Sequence, residues 1–150
     1  MEYINIESQR EYTLKFDGGC RPTNPGPTAG AFVIYDNNLN LVAQGAQYIE
    51  YGTSNIGEYL GLLIGLQKAV ELKIEKLRII GDSLLVINHV LSIWKVKNLQ
   101  LKEYHGQIIN LLKNIKNYEC IQVPRKYNKE ADKLCTEIIK DNNKSFYNLD

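Results

Sequence analysis

The sequence predicts an α/β fold in which helices cover both faces of a mixed five-stranded sheet, with three antiparallel strands followed by two parallel ones. Three observations lead to this prediction. Apolar and polar residues alternate in the first third of the chain, as they do in half-buried strands. Helical spacing of apolar residues follows, and two short apolar runs interrupt it. The 150 residues are 44% hydrophobic and 23% charged, which is typical of a globular domain.

The first three strands are predicted to form an antiparallel meander. Residues 12–17 alternate between apolar and polar side chains. A loop is predicted over Cys20–Pro27 because that stretch is rich in Pro, Gly and Asn. Strands are then predicted over 29–35 and 41–51, separated by an Asp-Asn-Asn turn. Short connections make the antiparallel arrangement the simplest one.

The rest of the chain is predicted to alternate helices with the two remaining strands. Apolar residues at helical spacing predict an amphipathic helix over 56–72. Further along, we expect a strand over 77–80, a helix that includes 84–90, a helix over 101–115, a strand over 119–123 and a last helix from the N-cap Asn128 to residue 140. These elements make a single domain, 1–150, with its core between residues 10 and 140 and a short polar C-terminal tail.

The charge excludes two classes of protein. With 18 Lys and Arg against 17 Asp and Glu, the net charge is +1, so the chain is neither a strongly basic nucleic-acid binder nor an acidic solvating chain. The charges are unevenly distributed, however. Residues 1–90 carry 7 basic and 10 acidic side chains, whereas 91–150 carry 11 basic and 7 acidic ones. The basic surplus of the second part predicts a modest phosphate-binding surface.

Cysteine usage and the absence of targeting signals indicate where the protein works. The three cysteines are far apart and form no C-x-x-C pair, which argues against a disulfide framework or a zinc ribbon. The N-terminus lacks the basic and apolar regions of a signal peptide. No apolar run approaches the roughly 20 residues that cross a bilayer. We therefore expect a soluble, intracellular protein of the cytoplasm, without membrane contact and monomeric.

Four carboxylates lie where strands end or helices begin. Asp17 ends the first strand, Glu58 enters the long helix, Asp82 follows the fourth strand, and Asp132 lies early in the last helix. Each has an ordinary structural explanation when taken alone. Asp-Gly is a common turn dipeptide, and acidic residues suit helix caps and first turns.

Taken together, the four carboxylates predict a metal site. Strand ends and the helix starts that follow them meet at one edge of an α/β sheet, where ligands commonly bind. Carboxylates that converge there repel one another unless cations neutralise them. Oxygen ligands of this kind suit Mg²⁺ or Mn²⁺ rather than zinc. Two such ions can hold both the attacking and the leaving oxygen of a phosphoryl displacement, so the chemistry predicted is metal-dependent phosphodiester cleavage.

The segments around these carboxylates resemble the type 1 ribonuclease H family. The resemblance covers residues 12–138, nearly the whole chain, and it is specific because four motifs occur in the right order on the right elements. The matching stretches are Phe16-Asp17-Gly18-Gly19-Cys20 with Asn24-Pro25-Gly26-Pro27 and Gly30-Ala31, then Thr53-Ser54-Asn55 with Glu58-Tyr59, then Ile80-Gly81-Asp82-Ser83, and finally Val123-Pro124-Arg125 with Asn128, Ala131-Asp132 and Leu134.

This resemblance implies a ribonuclease H-like fold and a specific reaction. The family cuts the RNA strand of RNA–DNA hybrids and leaves a 5′-phosphate and a 3′-hydroxyl, and it distinguishes the two strands by the 2′-hydroxyl. Asp17, Glu58, Asp82 and Asp132 match its catalytic residues, which hold two Mg²⁺ or Mn²⁺ ions. Asp17 is implied to bridge both ions, Asp132 to hold the ion that activates water, and Glu58 with Asp82 the ion that faces the leaving oxygen.

Substrate contacts are implied at further positions. Asn24 and Thr53 match residues that hold a phosphate of the DNA strand, and Cys20, Ser54 and Asn55 match residues along the minor groove. The alternatives are that the Asn-Pro-Gly-Pro stretch is only a turn and that Asn55 is only a helix N-cap. Asn128 matches a position near the metals and also caps the last helix.

The chain departs from well-studied members of the family in three ways. It has no histidine between residues 119 and 127, where Arg125 is expected to aid turnover or substrate binding instead. It lacks the inserted basic protrusion, since 92–100 offers only Trp94 and two lysines, and Trp94 is expected to pack between helices. No separate hybrid-binding domain is expected before residue 12. The chain therefore resembles the short form of the family.

Three alternative functions remain open from the sequence. The first is a catalytically weak or silent module of the same fold that binds nucleic acid. The second is another nuclease of the same superfold, such as a resolvase or an integrase-like core. The third is a regulatory α/β domain in which the carboxylates are only caps and turns. The presence of all four carboxylates favours the ribonuclease H interpretation.

Overall fold

The computed structural model describes residues 11–142. Its elements follow the predicted order, β-β-β-α-β-α-α-β-α. They are β1 (Tyr12–Cys20), β2 (Gly26–Tyr35), β3 (Leu41–Gly52), α1 (Ser54–Glu71), β4 (Lys76–Gly81), α2 (Leu84–Val90), α3 (Leu99–Leu112), β5 (Asn117–Gln122), a 3₁₀ turn (Arg125–Tyr127) and α4 (Lys129–Asn142). The predicted polar tail beyond residue 142, and the segment in which no hybrid-binding domain was expected, lie outside the described residues.

The five strands form one mixed sheet in the order β3-β2-β1-β4-β5. β1 pairs antiparallel with β2, and β2 with β3, whereas β4 lies parallel to both β1 and β5. This confirms the predicted topology of three antiparallel strands followed by two parallel ones. It also places Phe16 and Asp17 of β1 beside the end of β4, because the parallel ladder ends with Phe16 opposite Gly81.

Helices cover both faces of the sheet, as predicted. One face carries α1, α2 and α3 over a core built on residues such as Leu14, Phe16 and Leu62, all fully buried. The opposite face carries α4, whose Cys135 and Ile139 pack against two small residues of β2. None of the helices within 11–142 is long and apolar enough to cross a membrane.

Several predicted boundaries are wrong by a few residues, and one loop was misread. Cys20–Pro27 was predicted to be a loop, but the ladder continues through Cys20, which pairs with Thr28, and β2 already begins at Gly26. The backbone N–H of Arg21 donates a 3.0 Å hydrogen bond to the carbonyl of Pro27, so the hairpin stays paired beyond the strands. Pro and Gly at these positions shape a tight connection without ending the strands early.

The close packing of α1 on the sheet brings Glu58 to Asp17. The helix begins at Ser54, where the hydroxyl of the N-cap Thr53 accepts a 3.2 Å hydrogen bond from the backbone N–H of Ile56. Glycines then recur every fourth residue on the face that meets β1 and β2. A Cβ at Gly61 would lie 2.4 Å from the carbonyl oxygen of Asp17. Only a helix face without side chains allows this approach.

Candidate active site

Three of the four predicted carboxylates form a cluster at one edge of the sheet. Oxygen atoms of Asp17, Glu58 and Asp82 all lie within 4.8 Å of one another. Glu58 is on the second turn of α1, and Asp82 comes directly after β4. Asp17 lies inside β1, three residues before its end, so the prediction that it ends the first strand is wrong: the β1–β2 ladder continues to Cys20. We call these three residues the carboxylate cluster. The sequence motifs therefore come together because the end of β4, the neighbouring part of β1 and the start of the covering helix meet here.

Gly18 makes the contact between β1 and α1 possible. A Cβ at this position would lie 2.0 Å from both the backbone nitrogen of Glu58 and the carbonyl carbon of Gly57. No side chain fits in that space, so the Asp-Gly pair is more than a turn dipeptide. The close backbone contact at Gly18 brings the carboxylates of Asp17 and Glu58 near each other.

The three carboxylates of the cluster repel one another, and their pKa values are raised. Burial and the charge of Asp82 raise the pKa of Asp17 to about 7, although hydrogen bonds from Glu58 and the Gly18 N–H oppose the rise. Burial, followed by the charges of Asp17 and Asp82, raises the pKa of Glu58 well above its usual value. Burial also raises the pKa of Asp82. Such shifts are typical of groups held together for a function rather than for stability.

The cluster fits a divalent cation. One oxygen of Glu58 and one of Asp82 are buried without a hydrogen-bond donor. Buried anionic oxygens are costly when nothing pairs with them. A hard cation such as Mg²⁺ or Mn²⁺ would complete their coordination, and the donor set contains only oxygen.

Asp132 lies at the rim of the carboxylate cluster instead of inside it. It is on the first turn of α4, and its charge contributes to the raised pKa values of Asp17 and Asp82. Arg125 Nη2 lies 3.5 Å from Asp132 Oδ1, and Arg21 Nη2 lies 3.6 Å from the same oxygen. Arg125 thus lies next to Asp132, and its role in turnover or substrate binding stays a prediction, whereas Arg21 was not identified from the sequence.

Asn128 lies beneath the site, not on its surface. The side chain is 0% exposed, and its Nδ2 donates a 2.7 Å hydrogen bond to the carbonyl of Phe16. The amide also hydrogen-bonds the Asp82 carboxylate and so opposes the rise in that group's pKa. Asn128 occupies the predicted N-cap position of α4, because its backbone carbonyl accepts a 3.2 Å hydrogen bond from the Asp132 N–H. Its Oδ1 atom has no partner, however, so the side chain itself does not cap the helix. The amide is turned inward, away from the helix N-terminus.

Most of the predicted substrate-contacting residues line one groove, which includes the start of α1. It has a volume of about 410 Å³, and we call it the polar groove. Its polar lining residues are Asn24, Thr53, Ser54, Asn55, Asn98 and Gln100. Asn24 Nδ2 donates a 2.7 Å hydrogen bond to Ser54 Oγ, which ties the β1–β2 loop to the start of α1. Asn98 and Gln100, at the start of α3, were not anticipated.

Two predicted roles differ from what the structure shows. Asn55 is exposed and Thr53 is the N-cap of α1, so the alternative that Asn55 caps this helix is wrong. Trp94 is 44% exposed and does not pack between helices as expected. The chain turns back after α2, where the backbone N–H of Trp94 donates to the carbonyl of Asn88, and Val96 is buried in place of the Trp94 side chain.

Cys20 is half-buried at the end of β1, and its Sγ donates to the carbonyl of Thr23 at 2.9 Å.

The sequence is similar to a known family and to curated proteins. A family model described as reverse transcriptase-like matches residues 15–138. The chain is 34% identical over 127 residues to the bifunctional protein Rv2228c of Mycobacterium tuberculosis, covering 84% of this chain and 35% of that protein. It is 31% identical over 126 residues to ribonuclease HI of Halobacterium salinarum, covering 84% and 63%. The chain therefore spans about a third of the mycobacterial relative and less than two thirds of the halobacterial one.

Solved structures agree closely with the fold. The RNase H1 crystal structure from Halobacterium salinarum has a TM-score of 0.83 at 30% identity, covering 87% of this chain and 98% of that one. The N-terminal RNase H domain of Rv2228c gives 0.86 at 31%, covering 90% and 97%. LC11-RNase H1, solved in complex with an RNA/DNA hybrid, gives 0.81 at 28%, covering 87% and 97%.

The fold and the carboxylate cluster together define an α/β domain of the ribonuclease H type. Within that class, the chain belongs to the type 1 ribonuclease H family. The resemblance noted in the sequence is thereby confirmed for the family and for the fold.

Proposed function

We propose that the protein is an endonuclease that hydrolyses the RNA strand of RNA–DNA hybrids with two divalent cations, leaving 5′-phosphate and 3′-hydroxyl ends. The observation that carries this proposal is the carboxylate cluster with its buried, unpartnered oxygens, together with a polar groove lined by the start of α1, the helix that carries Glu58. The hybrid-bound structure of the similar LC11-RNase H1 supports the choice of substrate.

Four carboxylates would hold the cations. Asp17 is central to the cluster and would contact both ions, Glu58 and Asp82 would hold one, and Asp132 at the rim would hold the other. When bound, the cations supply the positive charge that stabilises in-line displacement at phosphorus and lower the pKa of a bound water. The repulsion among the carboxylates is what these ions relieve.

Residues around the cluster position the reacting groups. Asn128 orients Asp82 and fixes the backbone at Phe16, directly before Asp17. In place of the missing loop histidine, Arg125 lies close to Asp132 and its charge lowers the pKa of Asp82. Because its side chain is 71% exposed, Arg125 can also reach a phosphate at the site.

The polar groove holds the hybrid. Asn24 and Thr53 would bind a phosphate of the DNA strand, while Ser54, Asn55 and Cys20 would lie along the minor groove. Asn24 and Ser54 already hydrogen-bond each other across the loop, so this binding surface is largely formed before the hybrid arrives. Preorganisation of this kind reduces the entropic cost of binding.

A panel of substrates tests the proposal. Labelled RNA–DNA hybrid, duplex RNA and duplex DNA are each incubated with the protein in Mg²⁺, in Mn²⁺ and in EDTA. We expect metal-dependent cleavage of the hybrid alone, lost in Asp17→Asn and retained in Glu137→Gln, which removes an exposed carboxylate from α4. Tight hybrid binding without cleavage in either metal would instead identify a silent nucleic-acid-binding module.

A further inference from the structure

Two arginine side chains already neutralise the one proposed metal ligand outside the carboxylate cluster. Arg21 and Arg125 approach the same oxygen of Asp132, at 3.6 Å and 3.5 Å. Their side chains come from different elements, the β1–β2 loop and the 3₁₀ turn after β5. In the protein without substrate, Asp132 is thus paired with cationic side chains that belong to the chain itself.

Arg21 contacts Asp132 from a loop that also contributes to the polar groove. Its loop also carries Asn24, which lines the groove. The Arg21 side chain is 40% exposed, so a phosphate of a bound strand can reach it. Arg21 also supplies the single positive charge of the segment 18–27.

The chemistry of a guanidinium allows it to change partners. Its planar fork of donors binds carboxylates and phosphates in the same way. Exposed ion pairs of this kind contribute only about 0 to 1 kcal/mol, so the Arg21–Asp132 pair breaks at little cost. Asp132 cannot be fully available to a cation while guanidinium groups occupy its Oδ1.

We propose, on the basis of the proposed function, that Arg21 exchanges the Asp132 carboxylate for a phosphate of the RNA strand when the hybrid binds. In the free protein Arg21 weakens cation binding at Asp132. In the complex it binds the phosphate and leaves Asp132 to the cation. Hybrid and cation therefore strengthen each other's binding, and this coupling is reciprocal.

Two binding measurements on Arg21→Ala test this exchange without relying on cleavage. The first is the Mn²⁺ affinity of the free protein by calorimetry, expected to increase about 2- to 5-fold because a competing cation is removed. The second is hybrid affinity by fluorescence anisotropy in EDTA, expected to fall about 3- to 10-fold. The slope of log affinity against log salt concentration should also become shallower by about one. Arg21→Lys keeps the charge but not the fork, and it should show smaller changes in the same directions.

Arg78→Ala is the matched control. It also removes one positive charge from an exposed ion pair, with Glu119 on β5, but away from the site. We expect neither affinity to change in this variant. Thermal melting of each variant checks the fold, because a damaged fold weakens both binding events together.

Opposite changes in the two affinities are the result that supports the exchange. Unchanged affinities, changes in the same direction, or the same two changes in Arg78→Ala would overturn it. The outcome is separable from that of the proposed function. If the unmodified protein cuts the RNA strand and Arg21→Ala shows no opposite shifts, the exchange alone is wrong, whereas a protein that neither binds nor cuts the hybrid removes the proposed function itself.

Discussion

The side-chain amide of Asn128 donates a 2.7 Å hydrogen bond to the backbone carbonyl of Phe16. This bond joins the loop before α4 to β1 directly before Asp17, and the same amide hydrogen-bonds Asp82. One fully buried side chain therefore connects three of the segments that carry the proposed catalytic residues. Residues that orient ligands in this way are commonly as important for activity as the ligands themselves.

Replacing Asn128 with alanine is expected to lower kcat about 10- to 100-fold on a hybrid substrate while KM changes little. The reason is that Asp82 loses a donor and the Phe16 carbonyl is left buried without one. Steady-state kinetics at saturating Mg²⁺ measure the effect. Asn114→Ala is a suitable control, because that side chain also donates to a backbone carbonyl but is exposed in the turn that follows α3. A variant that raised KM and left kcat unchanged would show that Asn128 acts on the substrate instead.

Divalent cations are expected to raise the melting temperature of the protein. Their charge relieves the repulsion that raises the pKa of Asp17. At ten times Kd the gain is about 1.4 kcal/mol, which corresponds to about 3 to 6 °C for a domain of this size. Asp17→Asn should melt higher than the unmodified protein in EDTA and respond less to Mg²⁺ or Mn²⁺. Glu137→Gln should retain the full response, and an equal response in both variants would contradict metal binding at the cluster.

Gly18→Ala is expected to lower the free energy of unfolding. It is also expected to lower the rate of hybrid cleavage under conditions in which the variant is still folded. The new Cβ would lie 2.0 Å from the backbone of α1, so the helix must move and carry Glu58 away from Asp17. Overpacking of this kind costs about 1 to 3 kcal/mol. Gly106→Ala is the opposite case, because a Cβ there meets nothing within 4 Å on an exposed helix face. That variant should gain about 0.5 to 1 kcal/mol in the free energy of unfolding, measured by urea titration.

A polar contact inside the helical layer also contributes to stability. The hydroxyl of Tyr59, next to Glu58 on α1, lies 2.6 Å from Nδ1 of His89 on α2. Tyr59→Phe leaves the buried imidazole without this partner, and we expect a loss of about 1 to 2 kcal/mol in the free energy of unfolding. Tyr51→Phe removes a hydroxyl from a side chain that is 72% exposed and should have no measurable effect. Equal stability of the two variants would show that the buried contact contributes nothing.

The four carboxylates could be predicted from the sequence because their positions follow from element order. Asp17 lies inside β1 and Asp82 directly follows β4, and these strands are parallel neighbours in which Phe16 pairs with Gly81, so the sheet itself brings the two carboxylates together. Period-2 and helical patterns are enough to recognise that order. The fold class required no information beyond those patterns and the short connections between strands.

Other features depend on contacts that no local pattern reveals. The glycines that face the sheet along α1 recur every fourth residue, and that spacing was the available signal for the close approach of the helix. The direction of the Asn128 amide depends on a carbonyl 112 residues earlier in the chain. Arg21 gained its partner only when the β1–β2 loop folded next to α4. Long-range geometry of this kind decides the details of the site.

The central claim is tested most directly by identifying the strand that is cut. A hybrid carrying different fluorescent labels on its RNA and DNA strands is incubated with the purified protein in Mg²⁺, and both strands are resolved on a denaturing gel. We expect shortened RNA with terminal 5′-phosphates on the downstream fragments and an intact DNA strand. An intact RNA strand in both Mg²⁺ and Mn²⁺, or cleavage of the DNA strand, would contradict it.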